Sequence, residues 1–216
     1  MRVRRLLPAL VLLTAVSGCG TFAQSYEPAG VDELTIPTPS PRPDDFTATV
    51  DNPWLAFGRT GTSRTYAVTL PGQPAATRTV EVLPGRVEVD GVPTTAVRST
   101  TGAVEVTDYY AQDRRGNVWW FGHEAATGGW RAGRGGAEAG LAMAARPRRA
   151  DGYRTAYLPG VVEDVATVVD ADGRAVDIDV TSALAPGGVT RETYRHGTGL
   201  VTSIDAVTGE VDRLRP

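Results

Sequence analysis

The chain has 216 residues with 22 basic and 25 acidic side chains, which gives a formal net charge of −3. This length allows one or two domains, and the mildly acidic balance excludes the broad positive field that nucleic-acid-binding proteins use. Cys19 is the only cysteine, so an intramolecular disulfide is excluded.

Residues 1–18 have the layout of a secretory signal peptide. A basic start over residues 2–5 is followed by an apolar run over residues 6–16 and by small residues just before Cys19. The apolar run is about half of the ~20 residues that a membrane-spanning helix needs. We therefore expect cleavage of this segment rather than a permanent membrane span.

The segment Val16-Ser17-Gly18-Cys19 resembles the lipobox of bacterial lipoproteins. This resemblance implies a diacylglyceryl group on the Cys19 thiol, carrying acyl chains such as palmitate, and cleavage just before that residue. Two chains attach durably where a single acyl chain holds only marginally. The expected location is the extracytoplasmic face of the cell membrane. The alternative is an ordinary secretory signal followed by an incidental cysteine.

Residues 19–45 form the lipidated N-terminus and a proline-rich linker. Proline alternates with other residues from Ile36 to Pro43. Proline fixes φ and lacks an N–H, which favours an extended polyproline-like chain without ladder hydrogen bonds. The stretch is interpreted as a semi-rigid spacer, with a proline-rich recognition ligand as the alternative.

Residues 46–216 have the pattern of a single β-rich domain. Polar and apolar residues alternate in short runs, and turn residues separate the runs; Asp90-Gly91 is a two-residue hairpin signal. One or two short helical turns are expected, within residues 135–145 and 158–165. The predicted strands cover residues 65–70, 77–82, 86–89, 95–100, 104–111, 118–121, 166–169, 175–180, 190–195 and 200–204.

Strands of this kind have one apolar face that must be covered. The predicted fold is mainly β: a curved antiparallel sheet or half-open β-barrel. A two-sheet β-sandwich is the alternative. The choice matters for function because a barrel can enclose a cavity whereas a sandwich fills its interior with side chains.

Residues 108–122 read Asp-Tyr-Tyr-Ala-Gln-Asp-Arg-Arg-Gly-Asn-Val-Trp-Trp-Phe-Gly. This string resembles the D-W-Y-A-Q-D-x-x-G-N-V-W-Y-F-G segment of a family of uncharacterised secreted bacterial proteins. Shorter similarities extend over most of residues 51–202, beginning with Asp51-Asn52-Pro53-Trp54, which is similar to the family's D-N-P-[YW]. The resemblance implies export and identifies no reaction. This chain departs from the pattern at His123, where the family usually has an acid.

The same string contains the densest aromatic cluster of the chain. Neighbouring strand residues point to opposite faces, so Trp119 and Phe121 should share one face and Trp120 the other, with Tyr109 and Tyr110 divided in the same way. One set is expected in the core. The other is the candidate ligand-binding surface, unless it serves only edge packing.

Candidate catalytic groups are few. A hydrolase would use Glu163, Asp164 or His123, but adjacency in the chain does not make carboxylates converge, and a structural contact is the simpler interpretation of the acidic pair. The spacing around Asp172-Gly173 does not fit a calcium loop, and two histidines seldom complete a zinc site. We expect no metal and no cofactor, and both histidines are interpreted as exposed turn residues.

These observations favour a non-enzymatic surface lipoprotein that binds an apolar ligand or a cell-envelope partner. The alternatives are a cell-envelope hydrolase and a purely structural interaction module.

Overall fold

The computed structural model describes residues 42–47 and 49–216, so the predictions made for Cys19, for the signal peptide and for most of the linker lie outside the described residues. No helix in this part of the chain has the length and apolar character that a membrane crossing requires. It contains a single-turn 3-10 helix at Pro43–Asp45 and the following strands: β1 (Ser63–Thr69), β2 (Ala76–Val82), β3 (Val87–Val89), β4 (Val92–Thr101), β5 (Val104–Gln112), β6 (Val118–Ala125), β7 (Gly128–Arg131), β8 (Glu138–Met143), β9 (Gly152–Leu158), β10 (Val162–Ala171), β11 (Ala175–Ser182), β12 (Thr190–Arg195), β13 (Gly199–Asp205) and β14 (Val211–Leu214).

Twelve of these strands form a closed antiparallel barrel. The order around the ring is β1, β14, β13, β12, β11, β10, β9, β8, β6, β5, β4 and β2, and the pairing of β2 with both β1 and β4 closes it. Strands β3 and β7 lie outside the ring, paired with β4 and β6. The predicted mainly β fold with a curved sheet or barrel is confirmed, and the ring closes completely.

Tight turns join most neighbouring strands, as antiparallel pairing allows. Asp90 and Gly91 join β3 to β4 with φ values of 51° and 74°. A type I′ turn needs positive φ at both central residues, which is why this dipeptide indicates a hairpin.

The helical turns expected within residues 135–145 and 158–165 are wrong, because these stretches contain strand β8, the end of β9 and the start of β10, with turns or irregular chain between them. Strand β8 is apolar or glycine from its second residue onward: Ala139 is 1% exposed, Leu141 and Met143 are fully buried, and Gly140 and Ala142 lie between them. Such a strand has no polar-apolar alternation to reveal it. A Cβ on Gly140 would lie 2.4 Å from the carbonyl group of Thr155, so the small residues here permit close approach of β9.

The N-terminal part of the domain closes one end of the barrel. We call residues Asn52 to Phe57 the plug. The Pro53 carbonyl accepts a hydrogen bond of 2.8 Å from the Gly197 N–H in the β12–β13 turn. The Trp54 ring contacts the His196 ring edge-on, with 5.0 Å between ring centroids. The plug thus fixes the floor of the barrel interior.

Candidate functional site: the barrel cavity

A cavity of about 180 Å³ lies inside the barrel. Residues from β1, β2, β4, β5, β12, β13 and β14 line it together with the plug, so it occupies the ring's interior and not an outer face. It is smaller than the roughly 300–1,000 Å³ of typical ligand pockets, which restricts it to a small molecule or a part of one. Its apolar lining comprises Leu55, Ala56, Phe57, Val80, Val97 and Leu200, and its aromatic lining also includes Tyr66, Tyr110 and Tyr194.

Five arginine, aspartate and glutamate side chains line the same cavity: Arg64, Arg78, Asp108, Glu192 and Asp212. Charged groups inside a protein need partners, because burial removes their hydration. Their contacts therefore determine what else the cavity can bind.

Arg78 contacts three acceptors. Its Nη2 donates to Glu210 Oε1 at 2.9 Å, its Nε donates to Thr101 Oγ1 at 3.1 Å, and its Nη1 is paired with Asp212 Oδ2. The second Asp212 oxygen, Oδ1, has no hydrogen-bond partner among the described residues. It is buried, and the whole residue is only 4% exposed. Burial raises the pKa of Asp212, and Arg78 opposes that rise only in part.

Glu192 lies deep in the barrel. Its Oε2 accepts a hydrogen bond of 2.7 Å from the Tyr194 hydroxyl. Burial raises the pKa of the Glu192 carboxyl, and the bond from Tyr194 counteracts this. Burial and the Glu192 charge both raise the pKa of Tyr194, so this hydroxyl stays protonated as the donor. Tyr153 lies nearby and is fully buried, and its hydroxyl has no partner within the described chain.

Of the five predicted aromatic surface residues, only Tyr110 lines the cavity. It packs against Phe57 of the plug at 4.7 Å between ring centroids and stacks on Trp120 at 6.4 Å. Trp120 contacts Trp130 of β7 edge-on at 5.2 Å. A chain of aromatic rings therefore runs from the plug along the inner face of β5 and β6.

The other three predicted residues are buried in the core. Trp119 is 3% exposed and Tyr109 is 5% exposed, while Phe121 is fully buried and meets Phe46 edge-on at 5.3 Å. Tyr109 pairs with Gly122, and the next β5 residue pairs with Trp120, so Phe121 is the extra residue of a β-bulge. Trp119, Phe121 and Tyr109 belong to one core cluster, whereas Trp120 stacks on Tyr110, which is the division that the alternation predicted.

The hydrolase candidates have separate partners. His123 Nδ1 lies 2.8 Å from Asp108 Oδ1, while Glu163 Oε1 accepts a hydrogen bond of 2.9 Å from the Gly160 N–H in the β9–β10 turn. Asp164 follows Glu163 in β10 and points to the opposite face. Among these described residues, no hydrogen bond or ion pair joins the histidine to either acid.

His123 is not the exposed turn residue that was predicted. It lies within β6 and is about one-third exposed. Its hydrogen bond to Asp108 raises the pKa of the imidazole, and partial burial opposes that effect. Trp120 Nε1 donates to the same carboxylate oxygen at 3.2 Å. This hydrogen bond connects the chain of aromatic rings to the ion pair of His123 and Asp108.

A polar network that sequence reasoning missed anchors the plug. Gln112 Oε1 accepts hydrogen bonds from the backbone N–H groups of Asp51 (2.9 Å) and Asn52 (2.8 Å), and Gln112 Nε2 donates to Asp51 Oδ1 at 2.6 Å. Asn52 Oδ1 accepts from the Trp54 N–H at 2.8 Å, and Asn52 Nδ2 donates to the Gly116 carbonyl at 2.8 Å. These residues come from the segments 51–54 and 108–122, on which the family resemblance rests. The polar residues of these two segments were the available signal in the sequence.

Comparisons with protein-family models, with curated proteins and with solved structures found no match for this chain. The resemblance to a family of secreted bacterial proteins therefore stays a prediction.

Proposed function

We propose that this chain is an exported, non-enzymatic lipoprotein, anchored by a lipid on Cys19 to the extracytoplasmic face of the cell membrane, whose barrel binds a small ligand with an apolar part. The observation that carries the binding proposal is the cavity inside the closed ring. Apolar side chains from three strands and the plug meet there beside a few polar groups, which is the usual composition of a ligand pocket.

Contacts made by the plug hold the cavity in shape. The plug fixes its floor through Asn52 and Gln112, and Phe57 of the plug packs on Tyr110. A site whose walls are held by packing and hydrogen bonds loses little conformational entropy on binding. The proposed ligand therefore enters a site that is largely preformed.

Anchoring is tested by fractionation. Cys19→Ala removes the only thiol. We expect the variant to leave the membrane fraction and to lose labelling by radioactive palmitate, with Ser17→Ala as the control that keeps both. Membrane retention of Cys19→Ala without detergent would contradict the anchor.

Binding is tested by mass spectrometry of organic extracts from protein purified in its native host. Ser99 lines the cavity, whereas Ser63 is exposed at the start of β1. We expect a small molecule in extracts of the natural protein and of Ser63→Phe, and at least about tenfold less in extracts of Ser99→Phe, because the new ring occupies the site. Equal yields from all three proteins would contradict binding in the cavity.

A docking function toward a cell-envelope protein is the second candidate, and exposed apolar turns favour it. Val104, Val161, Leu184 and Val207 are 46–71% exposed, and all lie at turns on the barrel end opposite the plug. Asp45, near the start of the described residues, lies instead at the plug end, where its carbonyl accepts a hydrogen bond of 2.9 Å from the Arg114 N–H in the β5–β6 turn. If it binds a partner, Leu184→Glu combined with Val207→Glu should abolish a larger complex seen on native gels of detergent-solubilised membranes; an unchanged complex, or none in the natural protein, would contradict docking there.

A further inference from the structure

We propose that the barrel cavity binds a primary ammonium group carried by a small amphiphile, with the carboxylates of Glu192 and Asp212 as its acceptors. This inference rests on the proposed ligand-binding function and specifies the chemical class of the ligand.

The two carboxylates belong to one row across the barrel wall. Glu192 of β12 pairs directly with Ser203 of β13, and Ser203 pairs directly with Asp212 of β14. Directly opposed residues of antiparallel strands point to the same face, and both acids line the cavity. Adjacent strands are about 4.8 Å apart, so the two backbones are separated by about 10 Å and the side chains project toward a shared space.

One oxygen in this row needs a donor. Asp212 lines the cavity, and its Oδ1 is buried and has no hydrogen-bond partner within the described residues. An unpartnered buried acceptor destabilises the fold, and more so when the group is charged. A ligand N–H placed in the cavity would satisfy this oxygen.

The charges in the cavity favour a cation over an anion. Its lining has two arginines and three acids, and both guanidinium groups already donate to protein acceptors: Arg64 to the Thr198 carbonyl, and Arg78 to Asp212 and Glu210. An anionic ligand would have to displace these contacts and approach Glu192. Asp108 is paired with His123, but Glu192 has no cationic partner among the described residues, so an ammonium group would compensate its charge.

The direction of the pKa shifts of the two acids fits a site that a cation could occupy. Burial raises the pKa of both Glu192 and Asp212 above the ordinary values of carboxyl groups. A cation bound between them would favour their ionised forms. The apolar part of the ligand would lie against the hydrophobic lining supplied by Leu55, Phe57 and Leu200.

Calorimetric titration of the purified, delipidated protein with three six-carbon probes tests this inference. n-Hexylamine, hexan-1-ol and hexanoate share one tail and differ in the head group. At neutral pH we expect n-hexylamine to bind at least about tenfold more tightly than hexan-1-ol, because a hydrogen bond to a charged group contributes about 1.5–3 kcal/mol, and hexanoate not to bind measurably.

Neutral variants locate the binding. Glu192→Gln and Asp212→Asn should each weaken n-hexylamine at least about tenfold while changing hexan-1-ol little. Glu105→Gln removes an exposed acid of β5 outside the cavity and should leave both affinities unchanged. Glu192→Gln is nearly isosteric and does not touch the Arg78 ion pairs, so it keeps the test decisive if Asp212→Asn fails to fold.

The outcomes separate this inference from the function beneath it. Equal binding of amine and alcohol, unaffected by Glu192→Gln, would overturn the ammonium site and leave an apolar ligand pocket. Preference for hexanoate would also overturn it. If no probe binds and extracts of the native protein contain no small molecule, the proposed ligand-binding function fails as well.

Discussion

Gln112 is the residue on which the attachment of the plug depends most directly. Its side-chain oxygen accepts from the backbone N–H groups of Asp51 and Asn52, and its amide donates to the Asp51 carboxylate. Gln112→Leu keeps a similar volume but removes all three contacts. Asn52 is 2% exposed, so its N–H loses its acceptor without gaining water. Such an orphaned group costs about 1–3 kcal/mol, and the lost bond to Asp51 adds about 1 kcal/mol.

We therefore expect Gln112→Leu to lower the free energy of unfolding by about 2–4 kcal/mol, measured from denaturant melts with the slope held constant. Gln73→Leu, in the exposed β1–β2 turn, is the matched control and should change stability by less than about 0.5 kcal/mol. Proteolysis should also cut the plug of the Gln112 variant faster. Equal stability and equal cleavage of the two variants would refute the role assigned to this network.

Three further predictions concern the barrel wall. Tyr153→Phe should raise stability by about 1 kcal/mol in denaturant melts, because it removes a buried hydroxyl that has no partner among the described residues; a loss of similar size would contradict this. Phe121→Ala should cost about 3–5 kcal/mol, because it empties a fully buried site against Phe46; a loss under about 1 kcal/mol would show that the bulge repacks. His123 has a raised pKa, so its ion pair with Asp108 stabilises the fold fully below the ordinary histidine pKa of about 6.5 and less as pH rises through the higher folded value. Melts between about pH 5 and 9 should therefore show a loss of stability with rising pH that His123→Gln reduces; identical pH profiles would contradict the pairing.

The fold was predictable where one strand face met the interior and the other met solvent. Strand β12 was predicted at residues 190–195, which are its bounds in the structure. Strands β8 and β9 were both missed, and β8 has only small or apolar residues from Ala139 to Met143. Period-two alternation records burial on one side only, so it gives no signal in such strands.

The site was less predictable than the fold. Aromatic density selected β5 and β6 and included Tyr110, but it placed no weight on Glu192 or Asp212, which come from the far side of the ring. Closing the β2–β4 seam brings these distant strands together. No local pattern in the sequence specifies which strands meet across a barrel, so a lining built from seven strands requires the three-dimensional ring.

The bulge at Phe121 shows a smaller limit of the same kind. Strict alternation correctly places Trp119 and Trp120 on opposite faces: Trp119 is buried in the core, and Trp120 stacks on Tyr110. It fails to foresee that Tyr110 pairs with Trp120 while Tyr109 pairs with Gly122. A one-residue insertion in a ladder changes every later pairing, and it is set by packing on both sides of the sheet.

The central claim is that the interior of the barrel is a ligand site. The most direct measurement is a crystal structure of the protein purified from its native host at a resolution that distinguishes a ligand from water. We predict density for a small molecule in the cavity, in contact with Tyr110 and Leu200 and with a donor at hydrogen-bonding distance from Asp212 Oδ1. An interior filled by side chains, with Asp212 Oδ1 bonded to another protein group, would contradict it.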